Sequence, residues 1–82
     1  MGRRDLTQAF LWIPRCRSIH TCFMKGPIDV LFLDRRRSVV SRHAALQPWR
    51  LLAARRPADS VLELPAGWIA AHSIVEGDLI EW

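Results

Sequence analysis

Cysteine is scarce in this 82-residue chain, which has only Cys16 and Cys22. Two are too few for the disulfide frameworks that hold small secreted domains together. Long apolar runs are missing as well. No stretch approaches the ~18–20 residues of a membrane span. Behind Arg3 and Arg4, the apolar run Ala9 to Ile13 stops at Pro14, shorter than the roughly 7–15 residues of a signal-peptide core. These absences predict a cytoplasmic protein with both thiols reduced and no contact with membranes. Internal repeats, low-complexity tracts and a dividing linker are also lacking. A chain of this length holds one small domain with a thin core, which excludes a second core and argues against a deep enclosed active site.

What is present is an ordinary globular balance, 50% apolar and 24% charged residues, outside the range of disordered chains. The net charge of +4 is unevenly placed. Residues 1 to 56 carry all twelve Lys and Arg with three acids, Asp5, Asp29 and Asp34. Residues 57 to 82 carry Asp59, Glu63, Glu76, Asp78 and Glu81 and no Lys or Arg. A basic excess of this kind attracts phosphate backbones. It is equally accounted for if the two halves pair and neutralise each other.

Residues 1 to 8 are polar and expected to be a disordered leader, with a single domain over 9 to 82. Ala9 to Ile13 and Ser18 to Met24 read as strands, the second stopped by Lys25-Gly26-Pro27. Ile28-Asp29-Val30-Leu31-Phe32-Leu33 is apolar on both alternating faces apart from Asp29, the mark of a central strand covered on two sides. Asp34 to Ser38, with three adjacent arginines, reads as a solvated hairpin connection. A less regular strand follows from Ser38 to Leu46, and Gln47-Pro48-Trp49-Arg50 breaks it. Leu51 to Arg56 is expected as one helical turn or a wide loop. Val61 to Leu64 reads as a strand, Pro65 to His72 as a short helix and Glu76-Gly77-Asp78 as a tight turn, with Leu79 to Trp82 a closing strand. The predicted fold is mainly β, a small sandwich or partly closed barrel of short strands with one short helix.

The run from His20-Thr21-Cys22-Phe23-Met24 through Gly26-Pro27-Ile28-Asp29 to Phe32-Leu33-Asp34 is followed by Gln47-Pro48-Trp49-Arg50, Val61-Leu62-Glu63-Leu64-Pro65-Ala66-Gly67 and Gly77-Asp78. Together these closely resemble the bacterial and archaeal "domain of unknown function 192" family over about residues 11 to 82. The resemblance implies a small β-rich, sandwich-like domain and no established activity, since the family's biochemical role is itself uncharacterised. It also places His20, Met24, Asp29, Glu63 and Asp78 in the family's motifs, which makes them the candidates for a shared site. At the front the sequence departs from the family, whose further strand and turn before the His-Thr motif residues 1 to 10 are too short to supply. An uncovered apolar edge, open to self-association, is the expected consequence. Arg35-Arg36-Arg37 also departs from the family pattern of an acidic or polar residue and a glycine.

Cys16, His20 and Cys22 share parity and would project from one face of a regular strand. Structural zinc needs a fourth ligand, from His43, His72 or an acid, and Cys16 lies too far from His20 along a straight strand. Half-buried thiols and a hydrogen-bonded histidine account for the same residues. A Cys-His nucleophile pair lacks a visible oxyanion loop. Asp29 and Glu63, each alone in an apolar strand, must be hydrogen-bonded or paired. Turn backbone near Gly26 would serve Asp29, and Arg42 or Arg50 would serve Glu63. Trp12, Trp49, Trp68 and Trp82 are too scattered for a base-stacking surface and read as core. The sequence therefore points to a non-catalytic domain that binds an unidentified protein or small ligand and calls for no cofactor. The alternatives are nucleic-acid association through the basic two-thirds and a hydrolase-like or metal-assisted enzyme.

Overall fold

A strand as apolar as Ile28 to Leu33 is stable only where both its faces are covered, and the architecture is built around it. The computed structural model describes residues 2–5, 11–21 and 25–82. In chain order its strands are β1 (Arg3–Asp5), β2 (Leu11–Pro14), β3 (Ser18–His20), β4 (Ile28–Leu33), β5 (Val39–Leu46), β6 (Leu51–Ala53), β7 (Ser60–Pro65) and β8 (Leu79–Glu81). A short helix, α1 (Trp68–Ala71), lies between β7 and β8. The central sheet has the order β2-β7-β4-β5, antiparallel throughout, so β4 is flanked on both sides. An antiparallel ribbon of β3 and β6 and a parallel pair of β1 and β8 complete the fold. It is sandwich-like and does not close into a barrel.

Strand alternation sorts the sheet into two apolar faces. On one, Val30, Phe32 and Val61 pack with Ile19 of the ribbon, and Leu52 of β6 packs against the same cluster. On the other, Leu31, Leu33, Leu62 and Leu64 pack with Ile69 of α1, Ile74 and Ile80 of β8. Each of these fully buried Leu or Phe side chains contributes about 1.5–3 kcal/mol. Three tryptophans behave as core, since Trp12, Trp68 and Trp82 border the second cluster. Trp49 does not, being 66% exposed.

Several segments differ from the sequence expectation. Leu51–Ala53, expected as a helical turn or loop, is a strand, because pairing with Ser18–His20 buries Leu52 against the sheet. Within the polar leader expected over residues 1 to 8, Arg3–Asp5 pairs with Leu79–Glu81. The helix is shorter than Pro65 to His72. Pro65 ends β7, Gly67 takes φ 96 just before the first turn, and of the helical residues only Ile69 is buried. In the hairpin Asp34 Oδ1 accepts the N–H groups of Arg36 and Ser38 at 2.8 and 2.9 Å. Arg35 and Arg36 are exposed there as expected. Arg37 instead stacks on Trp82 at 3.8 Å and faces Trp12 at 5.4 Å, a cation–π contact that takes it out of the solvated loop.

Candidate functional site

Asp29 is wholly buried, so its carboxylate must find donors inside the protein. The register supplies them. β5 carries a bulge opposite Asp29, where Ala44 and Ala45 lie between the pairs Ile28 with Leu46 and Val30 with His43. Ala45, at φ 52, donates its N–H to Asp29 Oδ1 at 2.8 Å. On the other oxygen, Oδ2 accepts the N–H groups of Gly67 at 3.1 Å and Ile69 at 2.8 Å. One side chain thus ties the bulge to the start of α1, whose own N-cap, Gly67, has no side chain to do so. The donors thus come from the β5 bulge and the start of α1, not from the turn at Gly26.

Asp78, also buried, plays a similar part at the other end. Its Oδ2 accepts the N–H of Val75 at 3.0 Å, closing the turn before β8, and its Oδ1 accepts that of Gly2 at 2.7 Å. A third clamp is Thr21, which the sequence offered only as a strand former. Its hydroxyl donates to the Gln47 carbonyl at 2.7 Å and accepts the Arg50 N–H at 2.8 Å. Its backbone N–H and carbonyl bond Arg50 and Trp49. The whole 47–50 turn is held on this residue, including the positive φ of Trp49.

The remaining candidates are dispersed. Glu63 pairs with Val30 and Leu11 across the sheet, on the face opposite Asp29, so the two carboxyls do not meet. It makes no ion pair with Arg42 or Arg50, and burial pushes its pKa up. His20 is exposed, whereas its neighbour Ile19 is buried against the sheet. Cys16 precedes β3 and packs against the same cluster as Ile19, its thiol donating to the Ser18 carbonyl at 2.9 Å. Cys16 and His20 therefore do not share a strand face. Cys22 and Met24 lie outside the described residues. Among the described residues no three His, Cys, Asp or Glu side chains are grouped as metal ligands would be, and no helix is long and apolar enough to cross a membrane.

A different set of residues does converge. A second bulge, at Val40 between the pairs Leu33 with Val39 and Phe32 with Ser41, bends β5. Beside it opens a cleft of about 320 Å³ between β5 on one side and β6 with the chain that follows it on the other. Val40, Leu52 and Ala53 form its apolar wall, with Ser41 and His43 on β5 and Arg55, Arg56 and Glu76 at its rim. His43 Nε2 lies 3.2 Å from Ser41 Oγ, and its ring meets Phe32 edge-on at 5.6 Å. Burial lowers the His43 pKa, the positive charge of Arg55 lowers it further, and Glu76 opposes both. Arg56 Nη1 and Glu76 Oε1 form an exposed ion pair at 3.2 Å. His43 was legible only as a possible fourth metal ligand. Ser41 and Arg55 gave no signal, since only the fold brings residues 40–43 and 52–56 together.

Comparisons with known proteins agree with the architecture. The DUF192 family model, described as "Uncharacterized ACR, COG1430", matches residues 1–82. A UPF0127 protein of Pyrococcus furiosus is 43% identical over 65 residues, covering 79% of this chain and 55% of that relative. A UPF0127 protein of Thermococcus kodakarensis is also 43% identical over 65 residues, covering 79% of this chain and 41% of that one. The chain thus spans about half the length of the curated relatives it matches. The crystal structure of a protein of unknown function from Novosphingobium aromaticivorans superimposes with a TM-score of 0.77 at 26% identity, covering 89% of this chain and 56% of that one. With its family motifs, its sheet order and these relatives together, the chain belongs to the DUF192 family.

Proposed function

We propose that this chain is a non-catalytic binding domain and that the cleft beside the Val40 bulge is its small-ligand site. The observation that carries this reading is the convergence of Ser41, His43 and Arg55 over an apolar wall in about 320 Å³. That volume falls within the roughly 300–1,000 Å³ of small-molecule sites. The carboxylates favour a binding role over acid–base chemistry, since Asp29 and Asp78 are engaged by backbone N–H groups. The test is a fragment screen read by amide chemical shifts. Hits should perturb Val40 and Leu52, and Ala53→Trp, at an exposed strand position, should abolish them without changing the thermal midpoint. Hits that map elsewhere or survive Ala53→Trp would refute the assignment.

A second reading, association with nucleic acid, is supported by where the backbone gathers arginines. The 54–59 segment bonds to Arg17 and Cys16 on one side and to Leu33 on the other. Exposed Arg15, Arg17, Arg35, Arg36, Arg55 and Arg56 therefore lie around one end of the molecule, a field suited to phosphate backbones. The small-ligand reading is preferred because acids are interspersed there: Asp34, Asp59 and Glu76.

A further inference from the structure

The walls of the cleft differ in chemistry. Val40, Leu52 and Ala53 offer no polar side-chain group, while Ser41 and His43 on β5 bring hydrogen-bonding groups and the rim brings two cations and one anion. The cations are not equivalent. Arg56 is tied to Glu76 at 3.2 Å, whereas Arg55 has no ion pair among the described residues. Its charge adds to burial, the larger effect, in holding the His43 ring toward its neutral form. Two groups that repel each other's positive charge across an apolar pocket are relieved together by an anion placed between them. The arginines gathered at this end add a long-range field that would draw such an anion in.

Resting on the cleft as the binding site, we infer that its ligand is a small amphiphilic anion. A carboxylate or phosphate group is held by Arg55 with Ser41 and His43, and a compact apolar body lies against Val40, Leu52 and Ala53. Binding offsets the Arg55 charge, so the His43 pKa rises on binding and affinity increases as pH falls through the range of that group. The charged groups facing His43 are Arg55 and Glu76. β4 presents it only Val30 and Phe32, and Arg42 pairs with Leu31 on the other face of the strand.

The experiment titrates the whole chain with hexanoate, butyl phosphate and hexan-1-ol, following amide shifts and the His43 ring resonances across pH. The two anions separate carboxylate from phosphate recognition, and the alcohol keeps the apolar body without the charge. The expected result is that at least one anion binds about tenfold more tightly than hexan-1-ol, as a charge-assisted contact gives. Arg55→Gln should remove that advantage and leave hexan-1-ol unchanged, and the anion should raise the His43 pKa. Glu76→Gln, at an exposed position, should tighten the anion by freeing Arg56. Equal binding of anion and alcohol at Val40 and Leu52, unaffected by Arg55→Gln, would overturn the anion inference and leave the cleft standing. If no probe perturbed Val40 or Leu52, the cleft itself would be refuted. A parallel titration with a single-stranded oligonucleotide adds a third arm. Binding whose salt slope corresponds to several phosphates, undisturbed by hexanoate, would overturn the small anion in favour of a polyanion.

Discussion

Replacing Asp29 by Ala removes one buried carboxylate and orphans three backbone donors at once. The Ile69 N–H is buried and has no water to turn to, a loss of about 1–3 kcal/mol. Those of Ala45 and Gly67 are only partly buried, so water recovers part of their loss, and about 1 kcal/mol each remains. The expected total is therefore about 3–5 kcal/mol. An 82-residue domain has about 4–12 kcal/mol of stability at 0.05–0.15 kcal/mol per residue, so Asp29→Ala should remove from about a quarter to all of it. Asp29→Asn keeps one acceptor oxygen, enough for the Gly67 and Ile69 pair, and turns an amide donor toward Ala45. It should cost about half as much. Urea unfolding followed by tryptophan fluorescence measures both, and hydrogen exchange at Ala45, Gly67 and Ile69 locates the effect. Asp29→Ala within about 1 kcal/mol of the wild type would show that the clamp does not hold the bulge and the helix as argued.

Two further variants test the neighbouring polar groups. Burial raises the Glu63 pKa, so the native state binds more protons than the unfolded one above the ordinary glutamate range, and stability falls as pH rises through that window. Glu63→Gln should stabilise the fold at neutral pH by less than about 1 kcal/mol after solvent screening. The gain should vanish in urea midpoints taken near the acid end, and an equal gain at every pH would contradict the assignment. Thr21→Val strands the Gln47 carbonyl and the Arg50 N–H, costing about 1–3 kcal/mol. Amide exchange should accelerate at Arg50, and unchanged protection there would show that the 47–50 turn stands without the hydroxyl.

The strands legible in sequence are those whose pattern is set by burial on both faces. Ile28 to Leu33 and Val61 to Leu64 are apolar beyond what any loop sustains, and both are central strands. β6 was not legible because three residues carry no periodicity, and Leu51–Ala53 is a strand only through its partner β3. The start of α1 is set by Gly67 and by a carboxylate from a distant strand, neither of which local propensity registers. Arg37 read as solvent-exposed because its neighbours are arginines, yet two tryptophans from opposite ends of the chain meet it. Asp29 was recognisable as a residue needing partners, but the partners depend on a bulge that only the pairing of β4 with β5 creates. The cleft was invisible for the same reason, since its residues come from β5, from β6 and the segment after it, and from the turn before β8.

The sheet order β2-β7-β4-β5 also bears on synthesis of the chain. β4 and β5 are adjacent in sequence and pair as soon as both have left the ribosome. β7, which covers the other edge of β4, follows only after residues 47–59 have also been made. During that interval a hairpin carrying Val30, Leu31, Phe32 and Leu33 stands with one edge unpaired and its apolar faces only partly covered. Exposed strands of this composition are aggregation-prone. The window of greatest exposure is therefore the time needed to translate that segment, and it is set by strand order rather than by the stability of the finished fold.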